Sequence, residues 1–215
     1  MIITYRNSTS LRFSGGGAPR GESRDETRIT FMSIIDKKMM KPEDRIRRTA
    51  KLCCHCIRNI AFYRAWHELG QPFRASQFWI NVNSNFLDVA VLEWCKLFAD
   101  AKGKHHYGKV TEDPNHFRKA LFTGLKIEQS DFEKYLETVR AYRDKFVAHL
   151  DNLSVMSIPH LDLAKDSTNF LYQSLLVQEA KKDTLLDAPP SLSDFYDCML
   201  AEGKKTYHGL ISDTK

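Results

Sequence analysis

The feature that most constrains the fold is an apolar repeat at helical spacing that runs from Pro42 almost to the end of the chain. Apolar residues that recur every three or four positions lie on one face of an α-helix, which turns about 100° per residue. We find no stretch that alternates apolar and polar residues as a half-buried strand does, and no internal repeat. The sequence therefore predicts an all-α protein, an up-and-down bundle of five or six helices.

Proline and glycine set the boundaries of the first two predicted helices. Pro42 begins the first, because proline is favoured at the first helical position, and Gly70-Gln71-Pro72 ends it. The second helix is predicted from about Arg74 to Ala101 and is apolar nearly all round. A helix of that kind is expected to be the buried centre of the bundle.

Capping residues predict the later helices. Asp113-Pro114 begins a short third helix, and Ser130 with Glu133 has the spacing of a capping box for a fourth. Two more helices are predicted after Pro159 and after Pro189-Pro190.

Composition bounds the class of protein. The chain has 215 residues, of which 42% are hydrophobic and 27% charged, as expected for one globular domain. No apolar run approaches the roughly 18 residues that a membrane span needs, and the N-terminus lacks an apolar secretory core. Five cysteines without framework spacing favour a reducing compartment, so we expect a cytoplasmic protein that has no membrane partner.

The N-terminal segment differs from the rest of the chain. Residues 1–31 are rich in arginine and glycine and offer little apolar surface, so they are predicted to be a disordered tail ahead of a single helical domain, residues 32–215. Translation could begin at Met1 or at Met32, and the sequence leaves both open.

One charged residue interrupts the apolar face of the fourth helix. Arg143 lies in the middle of a narrow apolar stripe, which consists of Phe132, Leu136, Val139, Phe146 and Leu150. A guanidinium group cannot become neutral by losing a proton, so on such a face it must be paired or must face a site. Its stem can also pack while its head reaches solvent or a core carboxylate.

His149 follows in the last turn of the same helix, where the helix dipole favours a protonated imidazole. On an ideal helix it lies about 9 Å along the axis from Arg143 and about 120° around it. The two side chains can therefore converge only at a frayed helix end, or when a second copy of the chain supplies its own pair. An arginine that binds phosphate and a histidine that transfers protons can cleave RNA without metal.

The segment from Arg143 to His149, RDKFVAH, resembles the signature of HEPN domains (higher eukaryotes and prokaryotes nucleotide-binding). In that signature four to six residues separate an arginine from a histidine, and the first of them is polar. Here five residues intervene and Asp144 is the polar one. The longer stretch YRDKFVAHLD is similar to the abortive-infection AbiU-type branch, and the helical pattern from about Met32 to Lys181 agrees with a HEPN bundle.

The resemblance implies a metal-independent endoribonuclease without a cofactor, which serves as a toxin or an anti-phage effector. It implies a homodimer with the catalytic residues Arg143, Asp144 and His149 at the interface, and an antitoxin or regulatory protein as a further partner. Many HEPN toxins paired with a nucleotidyltransferase carry a tyrosine two residues after the histidine. Asp151 stands there in this chain, which argues against a partner that modifies that tyrosine.

A polar stripe on the second helix is a candidate support for this site. Asn81, Asn85 and Asp88 recur at helical spacing on an otherwise apolar helix. Because buried polar groups need partners, Asn85 or Asp88 could orient Arg143 or His149. A solvent-facing seam or a hydrogen bond between helices is the alternative.

The segment KGKHHYGK after the second helix is the candidate RNA contact. It combines basic and aromatic residues, as segments that bind single-stranded RNA do. The alternative is an exposed loop whose charges only keep the protein in solution. The proposed contact residues are Lys104, His105, His106, Tyr107 and Lys109.

The run Cys53-Cys54-His55-Cys56 suggests zinc at first sight. Tetrahedral sites draw paired ligands from separate segments, whereas four consecutive residues on a helix point in four directions. No second pair with suitable spacing is present, although His105-His106 could contribute. We therefore predict buried free thiols and no metal.

Two alternatives to the enzyme remain open at this stage. One is a helical module without catalytic activity that binds RNA, a nucleotide or a protein partner through the same groove. The other is a purely structural bundle in which Arg143 is paired internally.

Overall fold

The computed structural model describes residues 40–148 and 157–213, and every regular element in these ranges is helical. This confirms the predicted all-α bundle. The α-helices are α1 (Pro42–Glu68), α2 (Gln77–Trp94), α3 (Pro114–Leu125), α4 (Gln129–Tyr142), α5 (Asp162–Gln178) and α6 (Leu192–Asp213). Short 3₁₀ turns occur at Tyr107–Lys109 and Asp183–Leu185, and π-helical segments at Cys95–Ala99 and Arg143–Ala148. The predicted tail, residues 1–31, lies outside the described residues.

Local sequence explains most helix starts. Pro42 occupies the first turn of α1, and the Asp113 carboxylate accepts hydrogen bonds from the backbone N–H groups of Asn115 and His116 at the start of α3. The predicted capping box is wrong. Ser130 lies inside α4, and Glu133 instead accepts hydrogen bonds from the Gln129 amide and from Arg118.

The centre of the bundle is α1, which packs against α2, α5 and α6. The prediction that the second helix is the buried centre holds only for its C-terminal half, where Leu87, Ala90 and Val91 are buried. Its N-terminal half exposes Phe78 and Ile80 to solvent. An apolar composition could not separate these halves, because burial depends on where α1 crosses the helix.

Trp94 lies at the heart of the core with no exposed surface. Its ring stacks on Phe98 with the ring centroids 5.2 Å apart, and its indole Nε1 donates to the Ser167 hydroxyl at 3.0 Å. Ser167 in turn donates to the Leu163 carbonyl within α5. The largest side chain of the core is therefore packed and has its polar atom satisfied.

A smaller apolar cluster joins the ends of α1 and α6. It contains the buried residues Ala65, Trp66 and Tyr207. Gly203 allows the close approach of α6, because a Cβ atom there would lie 2.8 Å from the Ala65 Cβ. No helix within the described ranges is long and apolar enough to cross a membrane.

Candidate active site and an adjoining cleft

Arg143 is the first residue of the π-helical segment that continues α4. Only 19% of its side chain is exposed, so most of it is removed from solvent. Its Nη1 donates to the Asp100 carboxylate at 2.6 Å, and its Nε donates to Asp144 at 2.8 Å. The guanidinium group is thus paired with two carboxylates, one from another segment and one from its own.

Asp100 reaches Arg143 because it directly follows the π-helical segment that extends α2. Arg140, one turn before Arg143, donates to the carbonyl oxygen of Ala99. Two arginines of α4 and its extension therefore hold the C-terminal end of the α2 extension, where unpaired carbonyl groups favour cations. Asp100 was not among the predicted site residues, and no spacing rule in the sequence could have selected it.

The two π-helical segments meet at this ion pair. π-Helices account for well under 1% of residues in proteins and occur mostly as single turns, often at functional sites. Here one segment ends next to Asp100 and the other begins at Arg143. Two uncommon backbone segments therefore meet at one ion pair.

The electrostatics of the ion pair favour a fixed charge. The hydrogen bond with Asp144, and then the one with Asp100, raise the pKa of Arg143 further above its ordinary value, against the opposing effect of desolvation. Burial raises the pKa of the neighbouring Cys95 thiol to about 11, so this thiol is not a nucleophile at neutral pH. The guanidinium group of Arg143 thus faces two carboxylates, and Arg140 brings a second cation to the same helix end.

The described residues leave one part of the Arg143 guanidinium group unpaired. Its Nη2 makes no hydrogen bond with any residue in the described part of the chain. An oxyanion placed there would meet a guanidinium that is already oriented, although two carboxylates stand behind it. His149, the predicted proton-transfer residue, lies outside the described residues, as does Asp151.

The predicted support residues have different surroundings. Asn85 is exposed, in agreement with the solvent-facing alternative. Asp88 accepts a hydrogen bond from the Tyr142 hydroxyl at 2.8 Å, so it positions the residue before Arg143 and not Arg143 itself. Burial, followed by this hydrogen bond, raises the pKa of Tyr142. Neither Asn85 nor Asp88 contacts Arg143; that role belongs to Asp100.

The loop proposed as an RNA contact divides into two parts. His106 is buried, its Nδ1 accepts from the Gly108 N–H, and its Nε2 lies 3.1 Å from the Phe98 carbonyl. Tyr107 packs its ring on Phe98 and Phe117. These two residues hold the loop on the core, and their role as RNA contacts stays a prediction.

The rest of that loop fits its prediction better. Lys104 and Lys109 are exposed, and His105 is half-buried near Arg48, Arg45 and Lys96. Burial and then these cations lower the pKa of His105, which therefore stays neutral at pH 7. The two lysines remain available to a phosphate backbone.

The cysteine run of α1 points in several directions. Cys53 and Cys56 are buried, Cys54 is half-buried and His55 is exposed. The Cys56 thiol lies 3.6 Å from the Ala90 carbonyl, and burial raises its pKa to about 12. These thiols serve as small apolar groups of the core. The described residues contain no group of three or more potential ligands arranged for a metal ion.

A cleft of about 400 Å³, which we call the Trp66 cleft, adjoins the candidate site and was not predicted. Tyr142 lines it, together with Ile158. Its other main lining residues are Tyr63, Trp66, His67, Arg74, Asn83 and Asp88. Asn83 is 7% exposed and has a side-chain oxygen without a hydrogen-bond partner in the described structure. The sequence offered Asn81, Asn85 and Asp88 as a stripe, and Asn83 on the opposite face escaped notice.

Comparisons of the chain with models of protein families, with curated proteins and with solved structures each found no match.

Proposed function

We propose that this protein is a metal-independent endoribonuclease of the HEPN type, with RNA as its substrate. The observation that carries the proposal is the state of Arg143. This arginine lies inside an apolar stripe, its orientation is fixed by Asp100 and Asp144, and its Nη2 has no partner among the described residues. A guanidinium held in this way can stabilise charge that develops on a phosphate without reorganising during the reaction.

The proposed reaction is an attack within the RNA strand. The ribose 2′-oxygen forms a bond to the adjacent phosphorus while the bond from phosphorus to the 5′-oxygen breaks. His149 accepts the 2′-OH proton, and a protonated His149 from a second copy of the chain supplies a proton to the departing 5′-oxygen. Arg143 binds the charged equatorial oxygens. The products are a 2′,3′-cyclic phosphate and a free 5′-OH end.

Asp144 and Asp100 have distinct roles in this scheme. Asp144 fills the polar position after the arginine and holds Nε, so it fixes the plane of the guanidinium group. Asp100 holds Nη1 from the end of the α2 extension and ties the site to the bundle. Supporting groups of this kind are needed because small errors in the position of a catalytic group lower the rate strongly.

We further propose that two copies of the chain form the working enzyme and that it acts in the cytoplasm as a toxin or in anti-phage defence. An antitoxin or regulatory protein would then restrain it. These parts of the proposal depend on the resemblance of the segment from Arg143 to His149 to the HEPN signature.

The experiment is incubation of the purified protein with a mixed-sequence RNA in excess EDTA. Cleavage with 2′,3′-cyclic phosphate ends is expected, and DNA of the same sequence should remain intact because it has no 2′-OH. Arg143→Ala and His149→Ala should each lower the rate by about 10² to 10⁴ while the far-ultraviolet spectrum stays helical. Arg118→Ala is the matched control, since it removes an arginine outside the site that pairs with Glu133 and lies over the Phe122 ring. Cleavage that persists in the double variant, or that requires magnesium, would overturn the proposal.

A second candidate is a module that binds RNA without cutting it. It is favoured by the two carboxylates that pair with Arg143 and by the structural contact of Arg140 with Ala99, since both arginines already have partners within the bundle. In this case the wild-type protein binds RNA in EDTA without producing cyclic phosphate ends, and Lys104 and Lys109 contribute more to the affinity than Arg143 does.

A further inference from the structure

The Trp66 cleft combines the features of a site for a planar, hydrogen-bonding ligand. Its volume of about 400 Å³ falls in the range of about 300 to 1,000 Å³ that is usual for small-molecule sites. Tyr63, Trp66 and Tyr142 give it aromatic walls. Half of the twelve described lining residues are polar or charged, namely His67, Gln71, Arg74, Asn83, Ser84 and Asp88. Polar groups of this kind fix the orientation of a bound ligand.

Asn83 is the polar group that points to a ligand. The side chain is 93% buried, its Nδ2 lies 3.5 Å from His67 Nε2, and its Oδ1 has no partner among the described residues. The other ring nitrogen of His67 lies 3.4 Å from the Gln71 amide nitrogen. A neutral imidazole has one donor and one acceptor nitrogen, so it can accept from only one of these two amides.

Rotation of the Asn83 amide does not remove the unpaired group. With the amide turned by 180°, the oxygen could accept from His67, and the NH₂ group would then lack a partner. In either orientation one polar atom of a buried amide stays unsatisfied within the described structure. Such a group costs free energy unless a ligand or another partner completes it.

The chemistry of the lining fits a nucleobase. Asparagine amides recognise adenine by accepting from its N6 amine and donating to N7, and unpaired RNA bases stack on aromatic side chains. Arg74 lies at the exposed rim and makes no ion pair with any described residue, so it is free to contact a phosphate. Burial lowers the pKa of His67, which keeps its ring neutral beside a neutral base.

The position of the cleft connects it to Arg143. Tyr142 forms part of the wall and is fixed there by its hydrogen bond to Asp88. Arg143 is the next residue, and consecutive Cα atoms are about 3.8 Å apart. The guanidinium group itself pairs with Asp100, twelve residues after Asp88 and so roughly 18 Å further along α2 and its extension. A strand with one base in the cleft would therefore reach the arginine through a further stretch of extended backbone.

We propose that the Trp66 cleft binds one unpaired adenine of the RNA strand that is cut at Arg143, and that it thereby selects the position of cleavage. This assignment rests on the proposed endoribonuclease function. The recognition contact is the Asn83 amide, the stacking surface is provided by the half-buried Tyr63, and Arg74 contacts the phosphate.

The test measures binding of short RNA oligonucleotides that carry 2′-O-methyl groups, so that they cannot be cleaved. An oligonucleotide with one adenine in a uridine background is compared with one in which purine, which lacks the N6 amine, replaces that adenine. The full-length wild-type chain should bind the adenine oligonucleotide about 5- to 150-fold more tightly. Because this comparison changes only the RNA, it does not depend on the folding of any variant.

Variants then locate the contact. Asn83→Ala should reduce the adenine preference to about one, whereas Asn85→Ala, an exposed asparagine on the same helix, should leave it unchanged. Equal effects of the two variants, or equal binding of the two wild-type oligonucleotides, would overturn the cleft assignment. Binding of adenosine monophosphate as tight as that of the oligonucleotide would overturn the assignment to a strand and indicate a free nucleotide.

The outcomes separate this proposal from the one on which it rests. An Asn83-dependent adenine preference without any RNA cleavage supports the cleft and defeats the enzyme. Cleavage that depends on Arg143 but shows no Asn83-dependent adenine preference supports the enzyme and defeats the cleft assignment. Arg143→Ala should abolish cleavage of unmodified RNA and retain the adenine preference in binding.

Discussion

Trp94 and Trp66 are both buried tryptophans, 0% and 3% exposed, yet they belong to regions of different character. The indole N–H of Trp94 donates to Ser167, whose hydroxyl continues the chain of hydrogen bonds into α5. The indole N–H of Trp66 has no partner among the described residues, and neither has the Oδ1 of Asn83, which lines the same cleft.

The difference separates a region built for stability from one that retains unsatisfied groups. Nearly all buried polar groups in native proteins have partners, because an unpaired one costs about 1 to 3 kcal/mol. The indole of Trp94 and the hydroxyl of Ser167 meet that rule. The cleft beside Trp66 departs from it next to the residues that lead into Arg143, and departures of this kind are most common at functional sites.

The largest expected effect comes from removing each tryptophan. Trp94→Ala should lower the free energy of unfolding by about 3 to 5 kcal/mol, because it leaves a cavity in a closed core. Trp66→Ala should cost at least about 1 kcal/mol less, since the site opens on a cleft and can partly collapse. Urea denaturation followed by circular dichroism measures both values. Equal losses would show that the two regions do not differ in packing.

How much of this the sequence could predict depends on the range of the interaction. The helices that begin at Pro42 and Pro114 were predicted because their boundary residues act within one turn. The capping box at Ser130 was wrong because Glu133 has competing partners in Gln129 and Arg118, the second of which comes from another helix. A sequence pattern cannot weigh such a tertiary contact.

The site divides in the same way. The helical spacing of apolar residues predicted that Arg143 lies on an apolar face, where its charge needs a partner. The structure finds the guanidinium group paired with Asp100. That spacing could not identify Asp100, which is 43 residues away and is placed by the π-helical end of α2. The burial of His106 and Asn83 was equally inaccessible, since it depends on the packing of helices around them.

A second pair of substitutions tests the polar groups directly. Ser167→Ala removes the acceptor of the Trp94 indole and should cost about 1 to 3 kcal/mol, because it leaves a buried donor unpaired. Asn83→Ala removes an unpaired oxygen together with one long contact to His67 and should change stability by about 0.5 kcal/mol or less. Thermal denaturation at pH 7 is sufficient. A large loss in Asn83→Ala would show that the amide has a structural partner and would weaken the cleft proposal.

Two glycines of α6 allow a test of how tightly this helix packs against α1 next to Trp66. Gly203→Ala places a Cβ atom 2.8 Å from the Ala65 Cβ, next to Trp66, and should destabilise the protein by about 1 to 3 kcal/mol through overpacking. Gly209→Ala on the same helix meets nothing within 4 Å and should stabilise by up to about 1 kcal/mol, since alanine is the better helix former. Denaturant midpoints measure both. A neutral Gly203→Ala would mean that α6 can move away from α1 without cost.

The smallest expected effect is a pH dependence of stability that arises from His106, a buried residue whose two ring nitrogens both have partners. Burial lowers the pKa of His106 below the usual 6.5, and its two ring nitrogens are engaged by Gly108 and the Phe98 carbonyl. The unfolded chain therefore binds a proton below pH 6.5 that the folded chain resists, and stability must fall as the pH is lowered from that value through the folded pKa. For one proton the slope cannot exceed about 1.4 kcal/mol per pH unit. His106→Gln, compared with wild type between pH 7.5 and 5, should flatten this loss, and exposed His55→Gln should not. An unchanged pH profile of stability in His106→Gln would show that groups other than His106 cause the loss of stability in acid. It would also mean that His106 is held no more firmly than the unpaired groups of the cleft.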